Sequence, residues 1–159
     1  MPRPINSLAR ASLFKNPIFG WLIRSIDAIP IDRDGMGISG IKETLRRLKR
    51  GEIVLLFPEG TRSADGELQP LKPGFSALVD RGDVPIVPIA IDGAHEAFPR
   101  GAKFPRAAKI DLVVGEPIPA AVARSITDEA LIALVSERLG ALQAEARARR
   151  LGQFKNLQS

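Results

Sequence analysis

Apolar and polar positions alternate along the chain with two different periods. Ile53-Val54-Leu55-Leu56 is a short continuous apolar run and predicts a buried strand. Val84-Pro85-Ile86-Val87-Pro88-Ile89-Ala90-Ile91 is apolar throughout, which predicts a strand covered on both faces. Its two prolines point to an edge position or to strand ends. Ala28–Ile31 and Lys109–Val114 read as two further strands. Between the strands the period lengthens. Ile41, Leu45 and Leu48 recur at helical spacing, with Lys42, Arg46, Arg47, Lys49 and Arg50 on the outward faces and Gly51 as the stop. Asn16-Pro17 pairs a capping residue with a first-turn proline and starts a helix that runs to Ile26. Pro73-Gly74 opens a short helix through Arg81. Thr127, Asp128 and Glu129 begin a long one with Leu131, Leu134, Val135, Arg138, Leu139 and Leu142 on one side. Its arginine-rich end, Arg147–Arg150, is expected to fray into a solvated tail, with 152–159 beyond it. This alternation predicts an α/β fold, a mostly parallel sheet flanked by helices, and a single domain over 1–159.

One segment carries most of the chemistry. Phe57-Pro58-Glu59-Gly60-Thr61-Arg62-Ser63 follows the Ile53–Leu56 strand directly. A carboxylate, a glycine, two hydroxyls and a guanidinium therefore crowd the strand's C-terminal end, where open α/β sheets bind ligands. Arg62 can grip a phosphate with two parallel hydrogen bonds, Gly60 allows close backbone approach, and Thr61 and Ser63 add hydroxyl donors. The cluster suits an anionic, oxygen-rich ligand.

Composition narrows the partners. Lys and Arg number 23 against 18 Asp and Glu, a formal charge of +5 that favours anionic molecules. Aromatic residues make up 5% with no Tyr, too few for a base-stacking platform, so nucleic acid is not expected. With no Cys and one His, neither a thiolate nucleophile nor a zinc centre built on Cys or several His is available, and no metal is expected. No stretch reaches the roughly 20 apolar residues of a membrane span. The run Pro17–Ile23 is apolar but short, suited to a bilayer surface or to packing.

The unbroken string Phe57–Ser63 resembles the third sequence block of the glycerolipid acyltransferases, the lysophosphatidic acid acyltransferases in particular. Val84-Pro85-Ile86-Val87-Pro88 is similar to the fourth block. Ala28–Arg33 fits the second at Arg33 but departs upstream, with Asp27 and Pro30 where the family has glycine and phenylalanine. Lys72-Pro73-Gly74 resembles the lysine and glycine that follow the third block. The first block, His-x-x-x-x-Asp, has no counterpart. The one histidine, His95, comes after the fourth block, and the fifth residue beyond it is Arg100 rather than an acid. The resemblance implies that this block lies upstream of Met1 and that the chain is an N-terminally incomplete acyltransferase domain.

The family reaction transfers a fatty acyl group from acyl-coenzyme A or acyl carrier protein to the free hydroxyl of lysophosphatidate, giving phosphatidate. No cofactor beyond that thioester co-substrate is implied. The resemblance makes Arg33 and Arg62 phosphate ligands. It has Glu59 hold Arg62 or the local backbone, or contact the acceptor. Gly60, by permitting close approach, and Thr61 belong to the same phosphate-binding set, and Lys72 is a further phosphate or carrier contact. No catalytic residue is assigned in this chain, and the isolated chain is expected to turn over slowly or not at all. A cytoplasmic protein held peripherally at the inner face of the membrane is expected.

Blander readings stand beside these. Arg33 and Lys72 also fit solvated surface charges, and the basic face of Ile41–Arg50 fits a solvated helix as well as a lipid or carrier contact. A non-catalytic module binding lysophospholipid or anionic membrane is the alternative function. Gly35-Met36-Gly37-Ile38-Ser39-Gly40 spells a dinucleotide-binding glycine string. However, Asp32-Arg33-Asp34 separates it from its strand, whereas that fingerprint follows the strand directly.

Overall fold

The computed structural model describes residues 5–10, 29–31 and 38–152. The helix predicted from Asn16, Arg33, Gly35–Gly37 and the tail after Gly152 lie outside the described residues.

Three strands, β1 (Ile5–Arg10), β2 (Ile29–Ile31) and β3 (Ile53–Leu55), form a parallel sheet in the order β2-β1-β3. Ile5 pairs with Ile53 and Ser7 with Leu55 on one side of β1, and Leu8 pairs with Ile29 and Arg10 with Ile31 on the other. The strand order puts the Phe57–Ser63 segment on an outer strand of this sheet. Accordingly β3 is only partly covered, with Ile53 exposed, rather than buried as its apolar run suggested.

β1 was not visible in the apolar pattern, because its centre is polar. Asn6 is fully buried, and its Nδ2 donates to Glu52 Oε2 at 2.8 Å and to the Ile53 carbonyl at 3.2 Å. Arg47 of helix α1 (Ile38–Lys49) donates to Asn6 Oδ1 and to Glu43 Oε1, the latter at 2.9 Å. Arg47 is thus drawn inward against the sheet instead of facing outward, since a buried amide oxygen needs a donor. Gly51, at φ +76°, closes α1 as the sequence predicted.

The second sheet is an antiparallel pair, β4 (Ile89–Asp92) with β5 (Asp111–Val114), registered Ile89 to Val114 and Asp92 to Asp111. The apolar run from Val84 yields a strand only in its last part. Pro85 and Pro88 cannot donate to a ladder, so Ile86 makes a single bridge to Ile118 and regular pairing starts at Ile89. Only one face is covered among the described residues. Ala90, Asp92 and Val113 are buried, while Ile89, Ile91, Leu112 and Val114 are exposed.

Helix α5 (Asp128–Arg150) lies against both β4 and β5. Thr127 Oγ1 accepts the Ala130 N–H at 3.3 Å, and Asp128 and Glu129 complement the positive helix end. Its buried residues, Leu131, Val135, Leu139 and Ala146, recur at the helical period. Leu131, Val135 and Leu139 pack with Phe75, Val79 of helix α2 (Ser76–Gly82), Ile118 and Ala123 of α4 (Ala120–Arg124). Full burial of each large member contributes about 1.5–3 kcal/mol. A four-residue helix, α3 (Ala94–Ala97), follows β4.

Arg147–Arg150 does not fray. The helix continues through Arg150, because Arg147 and Arg150 both ion-pair with the buried Asp92 and Lys109 Nζ donates to the Arg149 and Arg150 carbonyls at 3.3 and 2.9 Å.

Candidate functional site

The chain leaves β3 and turns at once. The Gly60 N–H donates to the Phe57 carbonyl at 3.1 Å, and Gly60 adopts φ +65°, a conformation that disfavours any side chain. Space is tight as well. A Cβ here would stand 3.1 Å from Lys72 Cδ, Cε and Nζ. Lys72 is held by its own N–H, which donates to the Pro58 carbonyl at 2.8 Å. Two residues singled out separately in the sequence, Gly60 and Lys72, are therefore in contact.

Thr61 and Arg62 follow on the exposed side of this turn. The Arg62 guanidinium carbon sits 5.2 Å from the centroid of the Phe98 ring. Among the described residues no carboxylate lies within ion-pair distance of Arg62. Glu59, placed by the resemblance as one holder of Arg62, makes no ion pair with it. Among the described residues no acceptor takes the Arg62 N–H donors, which leaves the guanidinium able to receive a phosphate.

The next residues form a second turn. Ser63 Oγ donates to Asp65 Oδ1 at 2.8 Å and accepts the Gly66 N–H at 2.9 Å. Asp65 Oδ1 also accepts the Glu67 N–H at 3.0 Å. These bonds, the Glu67 N–H first and Ser63 second, hold the Asp65 carboxyl below its ordinary value. Ser63 is thus committed to the turn rather than to a ligand, as an Asx-type loop requires. Helix α5 clamps the turn from outside. Gln143 Nε2 donates to the Gly66 carbonyl at 2.8 Å, and Arg147 pairs with Glu67 at 2.8 Å and Asp92 at 3.2 Å. Arg150 pairs with Asp92 and, at 2.9 Å, with Glu96.

Arg33 lies outside the described residues. Because β1, β2 and β3 are parallel, the chain leaves β2 and β3 at the same end of the sheet, separated by the width of β1 at about 10 Å. The C-terminal ends of β2, at Ile31, and of β3, at Leu55, therefore lie at one end of the sheet. His95 sits against the turn, its Cβ 3.4 Å from where a Gly66 Cβ would stand, with Nδ1 buried and unbonded among the described residues. Among those residues no group of His, Asp and Glu is placed to hold a metal ion.

Phe98, Gln143 and Arg147 were not legible as site residues. Phe98 is a single aromatic in a polar stretch and meets Arg62 only because β4 and α3 return it to that edge. Gln143 and Arg147 lie one turn apart on α5, a spacing that is visible in the sequence but silent about what they touch.

Comparison with known proteins gives concordant matches. A family model described as Acyltransferase matches residues 1–92. The 1-acyl-sn-glycerol-3-phosphate acyltransferase of Bacillus subtilis (strain 168) is 34% identical over 142 residues, 87% of this chain and 67% of that protein. A chloroplastic 1-acyl-sn-glycerol-3-phosphate acyltransferase of Brassica napus is 29% identical over 126 residues, 77% of this chain and 37% of that protein. The crystal structure of the 1-acyl-sn-glycerophosphate (LPA) acyltransferase PlsC from Thermotoga maritima aligns with TM-score 0.74 at 26% identity, covering 90% of this chain and 57% of that one. The chain thus spans between about a third and two thirds of the length of these relatives.

Proposed function

The chain belongs to the acyltransferase family, and on that premise we propose that it supplies the phosphate-gripping half of a lysophosphatidate acyltransferase site. The observation that carries this reading is Arg62. It stands exposed beyond a parallel strand end with no carboxylate partner among the described residues, beside a glycine turn that also seats Lys72. Arg62 takes the acceptor phosphate, Lys72 adds charge, and Gly60 lets the acceptor approach the backbone. Arg33 is the second phosphate guanidinium on its sequence match, two residues after β2, whose last residue Ile31 lies at the same end of the sheet as the end of β3.

In the reaction the free hydroxyl oxygen of lysophosphatidate attacks the thioester carbonyl of acyl-coenzyme A or acyl carrier protein. The C–O bond forms, the C–S bond breaks, and the hydroxyl proton ends on the departing thiolate by way of a general base. The product is phosphatidate, and no cofactor beyond the thioester takes part. The 159 residues contain no His-x-x-x-x-Asp string. His95, wedged against Gly66, has no orienting acid at that spacing, so it is not assigned as the base.

The +5 charge and the basic helix α1 favour peripheral attachment to an anionic inner membrane face or an acidic carrier protein. No helix among the described residues is long and apolar enough to cross a membrane.

Calorimetric titration with a soluble short-chain lysophosphatidate, and with the monoacylglycerol of the same chain length, tests the reading. Saturable binding that weakens at least tenfold without the phosphate is expected, a loss of at least about 1.4 kcal/mol. Equal affinity for the two lipids, or no binding of either, would sink it.

A further inference from the structure

Phe98 is 40% exposed. The backbone that carries its ring is held in place. A Cβ at Gly93, which has φ +91° at the start of α3, would overlap the Lys109 carbonyl oxygen, so the chain must turn there as it does. The Phe98 N–H donates to the Ala94 carbonyl at 3.0 Å. Arg106 pins the flanking residues, its N–H donating to the Ala97 carbonyl at 2.8 Å and its Nε to the Glu96 carbonyl at 2.7 Å. Over the ring sits the Arg62 guanidinium, 5.2 Å from the centroid.

An aromatic face and a carboxylate treat a guanidinium differently. A carboxylate consumes N–H donors and cancels the charge. A ring face attracts the cation through its quadrupole and takes no conventional hydrogen bond, so the donors stay available. A long arginine side chain on an exposed turn would otherwise sample many rotamers and lose that freedom on binding.

We infer that Phe98 is a positioning residue that fixes Arg62 for the acceptor phosphate without neutralising it. This rests on the phosphate-binding role proposed for Arg62, and the test separates the two.

The chain and its Phe98→Leu, Phe98→Trp, Arg62→Ala and Arg62→Ala/Phe98→Leu variants are titrated with soluble short-chain lysophosphatidate, with melting temperature recorded for each. Leu keeps apolar bulk and removes the ring face. Phe98→Leu should weaken binding about two- to fivefold, the scale of an exposed cation–ring contact, with an unchanged melting temperature. Phe98→Trp should restore wild-type affinity. On the Arg62→Ala background, Phe98→Leu should change nothing. If Leu lowers the melting temperature, Phe98→Met serves the same comparison. Wild-type or tighter binding by the ring-less variant, or equal weakening with and without Arg62, would overturn the role of Phe98 alone. Wild-type affinity in Arg62→Ala, or no binding by the unaltered chain, would overturn the phosphate-binding reading and Phe98's role with it.

Discussion

Arg62 and the pair Arg147 and Arg150 are one residue type in two opposite settings. Arg147 and Arg150 converge on Asp92, which is 4% exposed, and spread to Glu67 and Glu96. Their charge is consumed inside the protein. Arg62 rests on a ring face and meets no carboxylate among the described residues. In the sequence, Arg62 stands one to one with Glu59 in its segment, whereas Arg147–Arg150 holds three arginines and no acid. The difference is the partner the fold delivers, carboxylates to α5 and an aromatic face to the Phe57–Ser63 turn, and it is the basis on which Arg62 is proposed as a phosphate ligand.

The sharpest way to break that contrast is at Asp92. Asp92→Ala leaves two guanidinium groups facing a vacated buried position and should cost about 3 kcal/mol. For a chain of this size that corresponds to a melting temperature lower by roughly 6–12 °C. Affinity of the folded protein for soluble lysophosphatidate should hold. A variant that keeps its melting temperature but loses binding would place Asp92 on the ligand side of the comparison.

Arg62→Ala should do the reverse. Losing a charge-assisted, two-pronged phosphate contact weakens binding by about ten- to a hundredfold. As an exposed substitution it should alter stability by no more than about 0.5 kcal/mol. A large fall in melting temperature with intact affinity would make Arg62 another structural arginine.

Gly60→Ala sits between the two. It forces a side chain into φ +65° and against Lys72, at a cost of about 1 kcal/mol in stability. It also displaces the lysine from the site, so binding should weaken by less than in Arg62→Ala. Unchanged affinity would remove Lys72 from the phosphate contacts.

The smallest effect is acid sensitivity of the turn. The folded pKa of Asp65 lies below its unfolded value, through the Glu67 N–H and then Ser63. Its stabilising contribution is therefore fully present above the unfolded pKa, about 3.9, and is lost as the pH falls through the lower folded value. Melting curves across that acid range should show a shallower loss of stability in Asp65→Asn than in the unaltered chain. Identical slopes would mean that the turn does not depend on the ionised carboxylate.

Much of the scaffold was legible because it follows apolar periodicity. α1, α5 and the strands at Ile29, Ile53 and Asp111 all appear at their expected places. β1 was hidden because a buried polar residue, Asn6, occupies its centre, satisfied by partners far along the chain. The Val84–Ile91 run overstated its strand because proline can fill an apolar position but cannot supply a ladder donor. The Phe57–Ser63 cluster was legible as a candidate site from its residue types. Its supports were not, since Phe98, Gln143 and Arg147 reach it only through tertiary contacts.

The most direct test follows the arginine side chains themselves. Nitrogen-15 spectra resolving each arginine Nε–H would be recorded while soluble short-chain lysophosphatidate is added. The account predicts a saturable shift of the Arg62 signal while those of Arg147 and Arg150 stay in place. Shifts at Arg147 or Arg150 with Arg62 unmoved would contradict it.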